Sequence, residues 1–154
     1  MTAAVAGRRE RRERLPGLVL GVGLGGFLDG IVLHQVLQWH SLVSAQRTRQ
    51  TLGGLQDNVL ADGIFHLATW AFVVAGLALL WRATQAAAPL SATALAGWML
   101  AGWGLFNVAD SIVFHWLLEL HHIRSGEHEL AYDLGFFALG LALVAGGSLL
   151  ARRS

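Results

Sequence analysis

Apolar residues fill most of this chain in four long stretches, broken by short polar segments and by a recurring few acids and histidines. An α-helix needs about 20 apolar residues to cross a bilayer. The pattern predicts helices near Gly17–Trp39, Val59–Trp81, Ala92–Leu118 and Leu130–Ala151. Pro16 suits the first turn of the first helix, where a missing N–H is no loss. Pro89 falls in the link before the third helix, and Trp39, Trp81 and Trp116 fall near helix ends, where amphipathic rings favour the interface. The expected fold is all-α, an integral membrane four-helix bundle with short connections.

Composition agrees with that pattern. Of 154 residues, 55% are hydrophobic and 14% charged, whereas a soluble domain carries about 25% charged residues. This speaks against a soluble enzyme, a nucleic-acid-binding domain and a disordered chain. With no cysteine, thiolate metal sites and disulfides are excluded.

Charge gives an expected orientation. The run Arg8-Arg9-Glu10-Arg11-Arg12-Glu13-Arg14 is too charged to enter a bilayer, so residues 1–15 are expected to form a basic cytoplasmic tail and 16–154 the membrane domain. No small-residue site closes the first apolar stretch, so it is expected to stay as a span and not to be removed as a leader. With both termini cytoplasmic, Arg8, Arg9, Arg11, Arg12, Arg14, Arg82, Arg152 and Arg153 lie inside and only Arg47, Arg49 and Arg124 outside. That follows the positive-inside rule and is the cheaper reading of the basic run than a nucleic-acid tail. The expected location is the inner (cytoplasmic) membrane, multi-pass, in contact with lipid. The glycine-rich faces leave room for a homo-oligomer.

The chain also resembles itself. Residues 29–40 read DGIVLHQVLQWH and residues 110–121 read DSIVFHWLLELH, so that Asp29, His34 and His40 recur as Asp110, His115 and His121. The second helix carries DGIFH from Asp62 to His66, and the fourth opens with Asp133. Helices two and four also end alike, AGLALLWR at 75–82 and AGGSLLARR at 145–153. The simplest reading is a duplicated two-helix hairpin, 17–82 and 92–153.

Acids and imidazoles inside a span are costly, about 2.5–3.5 kcal/mol for an Asp at the helix centre, and default to function. At about 1.5 Å per residue, His34 lies roughly 25 Å along the first helix from its cytoplasmic edge. Asp110 and His115 reach a similar level on the third helix, and Asp62, His66 and Asp133 lie near it on the descending helices. One polar layer in the outer half of the membrane is expected. The expected metal ligands are His34, His66 and His115 with Asp62, because residues four apart share a helix face. Asp29 and His34 are five apart, about 140° around an ideal helix, and so cannot easily grip one ion without a π-bulge; the same holds for Asp110 and His115. Asp29 and Asp110 are therefore candidate ligands or acceptors that orient an imidazole. His40, His121 and His122 are expected at the outer mouth, nearer solvent, with Asp133 beside them as a possible outer or supporting group; His128 is expected to be exposed. The glycines Gly21, Gly23, Gly25, Gly26, Gly97, Gly102 and Gly104 are expected to permit close helix contact.

Imidazole with carboxylate suits zinc, iron or copper(II). Only Met1 and Met99 could serve a copper(I) relay. Haem b, held by two facing histidines, is the first alternative, and a proton- or ion-conducting bundle the second. No separate nucleophile or general base marks a reaction.

The phrases GFLDGIVLHQVLQWHSL (26–42), DGIFHLATW (62–70), GWGLFN (102–107) and HWLLELHHI (115–123) resemble a family of bacterial membrane proteins catalogued as a domain of unknown function. The resemblance spans nearly all of the chain beyond its basic start and includes Asn107 among the recurrent polar positions. Ser41 departs from it where a second histidine is common, and Asp110 stands where glutamate is more usual. The resemblance implies an association with copper-handling proteins of respiratory oxidase assembly, and so a metal-handling or redox role with such partners.

Overall fold

The computed structural model describes residues 3–86 and 89–153, with side chains from residue 12 onward. Four helices and two π-helical segments follow in the order α1 (Ala3–Asp29), π1 (Gly30–Val36), α2 (Leu52–Thr84), α3 (Ala92–Asp110), π2 (Ser111–Leu117) and α4 (Glu129–Arg152). No strand occurs among the described residues. Arg12–Val36, Leu52–Thr84, Ala92–Leu117 and Glu129–Arg152 are each long and apolar enough to cross a membrane. The chain is a four-span, all-helical membrane protein.

Two helix starts follow from caps. Thr51 Oγ1 accepts from the Gly54 N–H, and Ser91 Oγ from the Ala94 N–H, each satisfying an amide that has no partner within the helix. The first helix differs from expectation: it begins well before Pro16, so the proline lies inside it and the basic run continues the same helix. That continuation is held at the same end of the molecule by tertiary contacts. The buried Glu13 carboxylate accepts from the Ser91 N–H, the Arg12 guanidinium donates to the Ala83 carbonyl, and Arg14 lies 5.2 Å over the Trp98 ring.

α1 packs against α2 and α3, and α3 against α4, so α1 and α3 form the centre and run in parallel. Glycine makes this possible. A side chain at Gly21 would collide with the Met99 carbonyl, and one at Gly102 with the Leu18 carbonyl. On the flanks, Gly97 and Gly147 face each other's backbones, as do Gly104 and Gly140. Small residues allow close backbone approach where no hydrophobic force drives helices together in lipid.

The distribution of polarity is inverted relative to a soluble domain. Val36, Leu52, Leu67 and Trp81 are each more than 60% exposed. The buried set instead includes Asp29, His34, His40, Asn58, Asp62, Asn107, Asp110, His115, His121 and Asp133. Lipid satisfies the apolar exterior, and the polar groups gather at the end of the bundle away from the chain termini.

Candidate metal centre

Each π segment follows directly on an aspartate. Leu37 N–H donates to Val32 O at 2.8 Å, and Leu118 N–H to Val113 O at 2.9 Å; both are the five-residue bonds of a π-helix. Widening the turn in this way removes the obstacle an ideal α-helix presents. Asp29 Oδ2 comes within 3.3 Å of His34 Nε2, and Asp110 Oδ2 within 3.0 Å of His115 Nε2. After each π segment the chain reverses through a residue with positive φ, Gln38 at 52° and Glu119 at 48°. It then places a further histidine back over the helix end.

The two second histidines are tied to each other's loops. His40 Nδ1 donates to the Ile123 carbonyl at 2.9 Å, and His121 Nδ1 to the Leu42 carbonyl at 3.0 Å. Their rings stack in parallel, 4.6 Å apart with 5° between planes. His34 lies edge-on to His40 at 4.5 Å, and His115 edge-on to His121 at 4.9 Å.

Acids from the outer helices orient the remaining rings. Asp62 Oδ1 accepts from His34 Nδ1 at 2.9 Å and from the Leu42 N–H at 2.7 Å. On the other side, Asp133 Oδ1 lies 3.1 Å from His115 Nδ1 and accepts from the Ile123 N–H at 2.9 Å.

The consequence concerns protons. A neutral imidazole that donates through Nδ1 has only a lone pair at Nε2. The Nε2 atoms of His34, His40, His115 and His121 are all buried without a hydrogen-bond partner, as are both carboxylate oxygens of Asp29 and Oδ2 of Asp110. Burial, with the neighbouring His121 and His34 rings, holds the His40 imidazole well below its usual range, hence neutral. Unpaired buried polar atoms cost about 1–3 kcal/mol each, and here ring nitrogens and carboxylate oxygens without hydrogen-bond partners converge. A cation held among them would give these atoms a partner. Two groups have ligand atoms within 4.8 Å of one another, His34–His40–His121 and Asp110–His115–His121, with His121 common to both.

The family described as predicted membrane protein (DUF2243) matches residues 16–154. The chain belongs to that family. No curated protein and no solved structure matches it. The histidine and aspartate groups just described all lie within the part matched by DUF2243.

Against the expectations from sequence, Asp29, His34, Asp110 and His115 are brought together. Asp62 lies on the Nδ1 side of His34, where it orients the ring. His66 is not among the grouped residues: its Nδ1 donates to the Asp62 carbonyl at 2.9 Å, and its ring packs beside Phe27 and Phe65. Its Nε2 lies against Gly30, where any side chain would meet it. The helical spacing puts Asp62 and His66 on one face, but only Asp62 reaches the polar layer; His66, one turn further along α2, meets the backbone at the start of π1. His40 and His121, expected near solvent, are 1% exposed. The loops after π1 and π2 fold back across each other, a non-local contact that local spacing does not reveal. His122 is partly exposed, with Nδ1 donating to Asp133 Oδ2 at 2.7 Å and Nε2 3.4 Å from Glu129. His128 is exposed, as expected.

One buried polar residue received no role from helical spacing. Asn107 on α3 is 1% exposed, with both side-chain amide atoms unpartnered. Its signal in the sequence is an amide within an apolar span, one turn before Asp110.

Proposed function

We propose that this protein binds a transition metal in the polar layer, with His34, His40, His115 and His121 as imidazole ligands and Asp29 and Asp110 as carboxylate ligands. The observation that carries the reading is the convergence of unpartnered Nε2 and carboxylate atoms, combined with anchoring of the Nδ1 sides of His34, His40 and His121 by a carboxylate or a carbonyl. Such outer anchoring fixes the tautomer and raises ligand basicity. Nitrogen and oxygen donors without sulfur favour zinc, iron or copper(II). Four rings with adjacent centroids only 4.5–4.9 Å apart leave no slot for a porphyrin between them, which weighs against haem b.

Equivalent aspartates, π segments, positive-φ residues and loop bonds in 29–42 and 110–123 support descent of the two halves from one duplicated hairpin. The arginine distribution supports cytoplasmic termini in the inner membrane, and hence a centre in the outer half of the bilayer. Handling of the metal for respiratory oxidase assembly, or redox chemistry at the centre, is the role to which the family resemblance points.

Protein purified in mild detergent tests this by elemental analysis and a visible spectrum. The expected result is bound metal in the wild type, strongly reduced in His121→Ala and unchanged in His128→Ala. Equal metal in the two variants, or none in the wild type, overturns the reading; a sharp Soret band replaces it with haem.

A further inference from the structure

The polar layer brings two copies of one donor set together. Each half supplies one aspartate and two histidines: Asp29, His34 and His40 from the first, Asp110, His115 and His121 from the second. Two imidazoles with one carboxylate can hold a transition-metal ion by themselves and leave its other positions open. Ligand atoms about 2.0–2.2 Å from one ion stand about 3.0–3.6 Å from each other. Asp29 Oδ2 and His34 Nε2 are 3.3 Å apart, and Asp110 Oδ2 and His115 Nε2 are 3.0 Å apart. Asp110 Oδ2 also lies 3.7 Å from His121 Nε2.

The ring planes limit how these donors can be shared. A ring nitrogen binds an ion along its lone pair, which lies in the plane of the ring. His40 and His121 are stacked with only 5° between their planes, so an ion in the plane of one lies out of the plane of the other. One ion cannot be bound well by both. Within each half the rings cross instead, His34 and His40 at 66° and His115 and His121 at 73°. Crossed planes meet along a line, and an ion on that line lies in both. The centroids of these pairs are 4.5 Å and 4.9 Å apart, against about 4.5–5.2 Å for two imidazoles on neighbouring positions of one ion. His34 and His121 also cross, but at 5.9 Å. Charge points to the same number. Asp29, Asp62, Asp110 and Asp133 are all buried. With these acids ionised and the rings neutral, two divalent ions balance the charge, whereas one leaves it half uncompensated at membrane depth.

We propose that the centre holds two transition-metal ions side by side, one on Asp29, His34 and His40 and the other on Asp110, His115 and His121. This rests on the metal-binding reading and adds to it a second ion and a division of the ligands between the halves. The nearness of His121 Nε2 to the His34 and His40 donors is then the nearness of two adjoining coordination spheres, as in two-metal sites with ions about 3.5–4 Å apart. His121 serves the second ion directly and the first through the ring stacked on His40, so its loss reaches both.

The test uses the full chain in mild detergent, stripped with a chelator, loaded with copper(II) and freed of loose metal by gel filtration. Copper(II) is the probe because nitrogen and oxygen donors hold it more tightly than other divalent ions of its row. Elemental analysis counts the ions per chain, and electron paramagnetic resonance reports whether they are coupled. The wild type should hold two ions per chain and show the half-field transition of a coupled pair, which an isolated ion lacks. His40→Gln and His115→Gln should each keep one ion per chain, with the spectrum of an isolated ion. One ion per chain in the wild type, or two with isolated spectra, overturns the second ion and leaves the metal centre standing. No bound copper in the wild type overturns both. Loss of both ions in variants that unfold at the wild-type temperature overturns the division of ligands. Where a variant fails to fold, the count and spectrum of the wild type decide alone.

Discussion

In the half of the molecule built from α1, π1 and α2, Asp62 serves His34 and the Leu42 amide. In the half built from α3, π2 and α4, Asp133 serves His115 and the Ile123 amide, and in addition His122. The position equivalent to His122 is Ser41. Further down the inner helices the same register sets Val22 against Trp103, and Gly26 against Asn107. The inner imidazoles and carboxylates thus agree between halves, while the groups that lead to them differ. His122 joins the network through Asp133 in the second half, where the first half has Ser41, and Asn107 has a glycine as its counterpart.

The most severe test of the agreement is removal of its shared member. His121 belongs to both ligand groups, whereas His40 belongs to one. His121→Ala should therefore abolish most of the bound metal and His40→Ala only part of it, measured by elemental analysis of purified protein. Equal losses would show that the two halves do not meet at His121.

The supporting acids sharpen the difference between halves. Replacing a group that orients a ligating histidine lowers metal affinity by about 10–100-fold. Asp62→Asn and Asp133→Asn should each fall in that range, with Asp133→Asn the larger because it serves two imidazoles. Competition with a chelator of known affinity measures both. Equal effects would mean that His122 adds nothing to the centre.

Much of this was legible in the sequence. Four spans follow from apolar length, and the Asp-x4-His-x5-His spacing, written twice, marks the polar layer. The π segments were visible only as an anomaly: a five-residue separation that an α-helix cannot use, carried at the same place in both phrases. The burial of His40 and His121 was not legible, because it depends on bonds between residues 40 and 123 and between 121 and 42. His66 was assigned by depth and face, and neither shows that the face meets Gly30. Local periodicity reports a helix face but not its neighbour.

The contact between the two inner helices gives a smaller, stability-level test. Gly21 and Gly102 stand at equivalent positions, and a Cβ on either collides with the backbone carbonyl of the opposite helix. A backbone atom cannot swing aside as a side chain can. Gly21→Ala and Gly102→Ala should each destabilise by about 1–3 kcal/mol, as overpacking does. Gly63→Ala, with nothing near its Cβ, should be neutral or stabilising, because alanine restricts the unfolded chain more than glycine does. Thermal unfolding in detergent separates these outcomes. A tolerant Gly102 beside an intolerant Gly21 would break the equivalence of the two helices.

The smallest effect probes the chain reversals that bring His40 and His121 over the centre. Gln38 and Glu119 occupy the left-handed region, at φ of 52° and 48°, where a side chain is disfavoured and glycine is not. Both side chains are exposed, so glycine removes strain without removing packing. Against this gain, glycine makes the unfolded chain freer, leaving a net stabilisation of a few tenths to about 1 kcal/mol. Gln38→Gly and Glu119→Gly should shift the unfolding temperature upward by similar amounts and leave metal content unchanged. Their equality is the informative part. The two reversals share their backbone geometry but not their loops: the Gln38 carbonyl accepts from Arg49, and that of Glu119 from Gln46. Similar shifts would mean that the backbone conformation alone sets the position of each second histidine. A gain at one reversal and a loss at the other would mean that the loop around it holds that histidine in place.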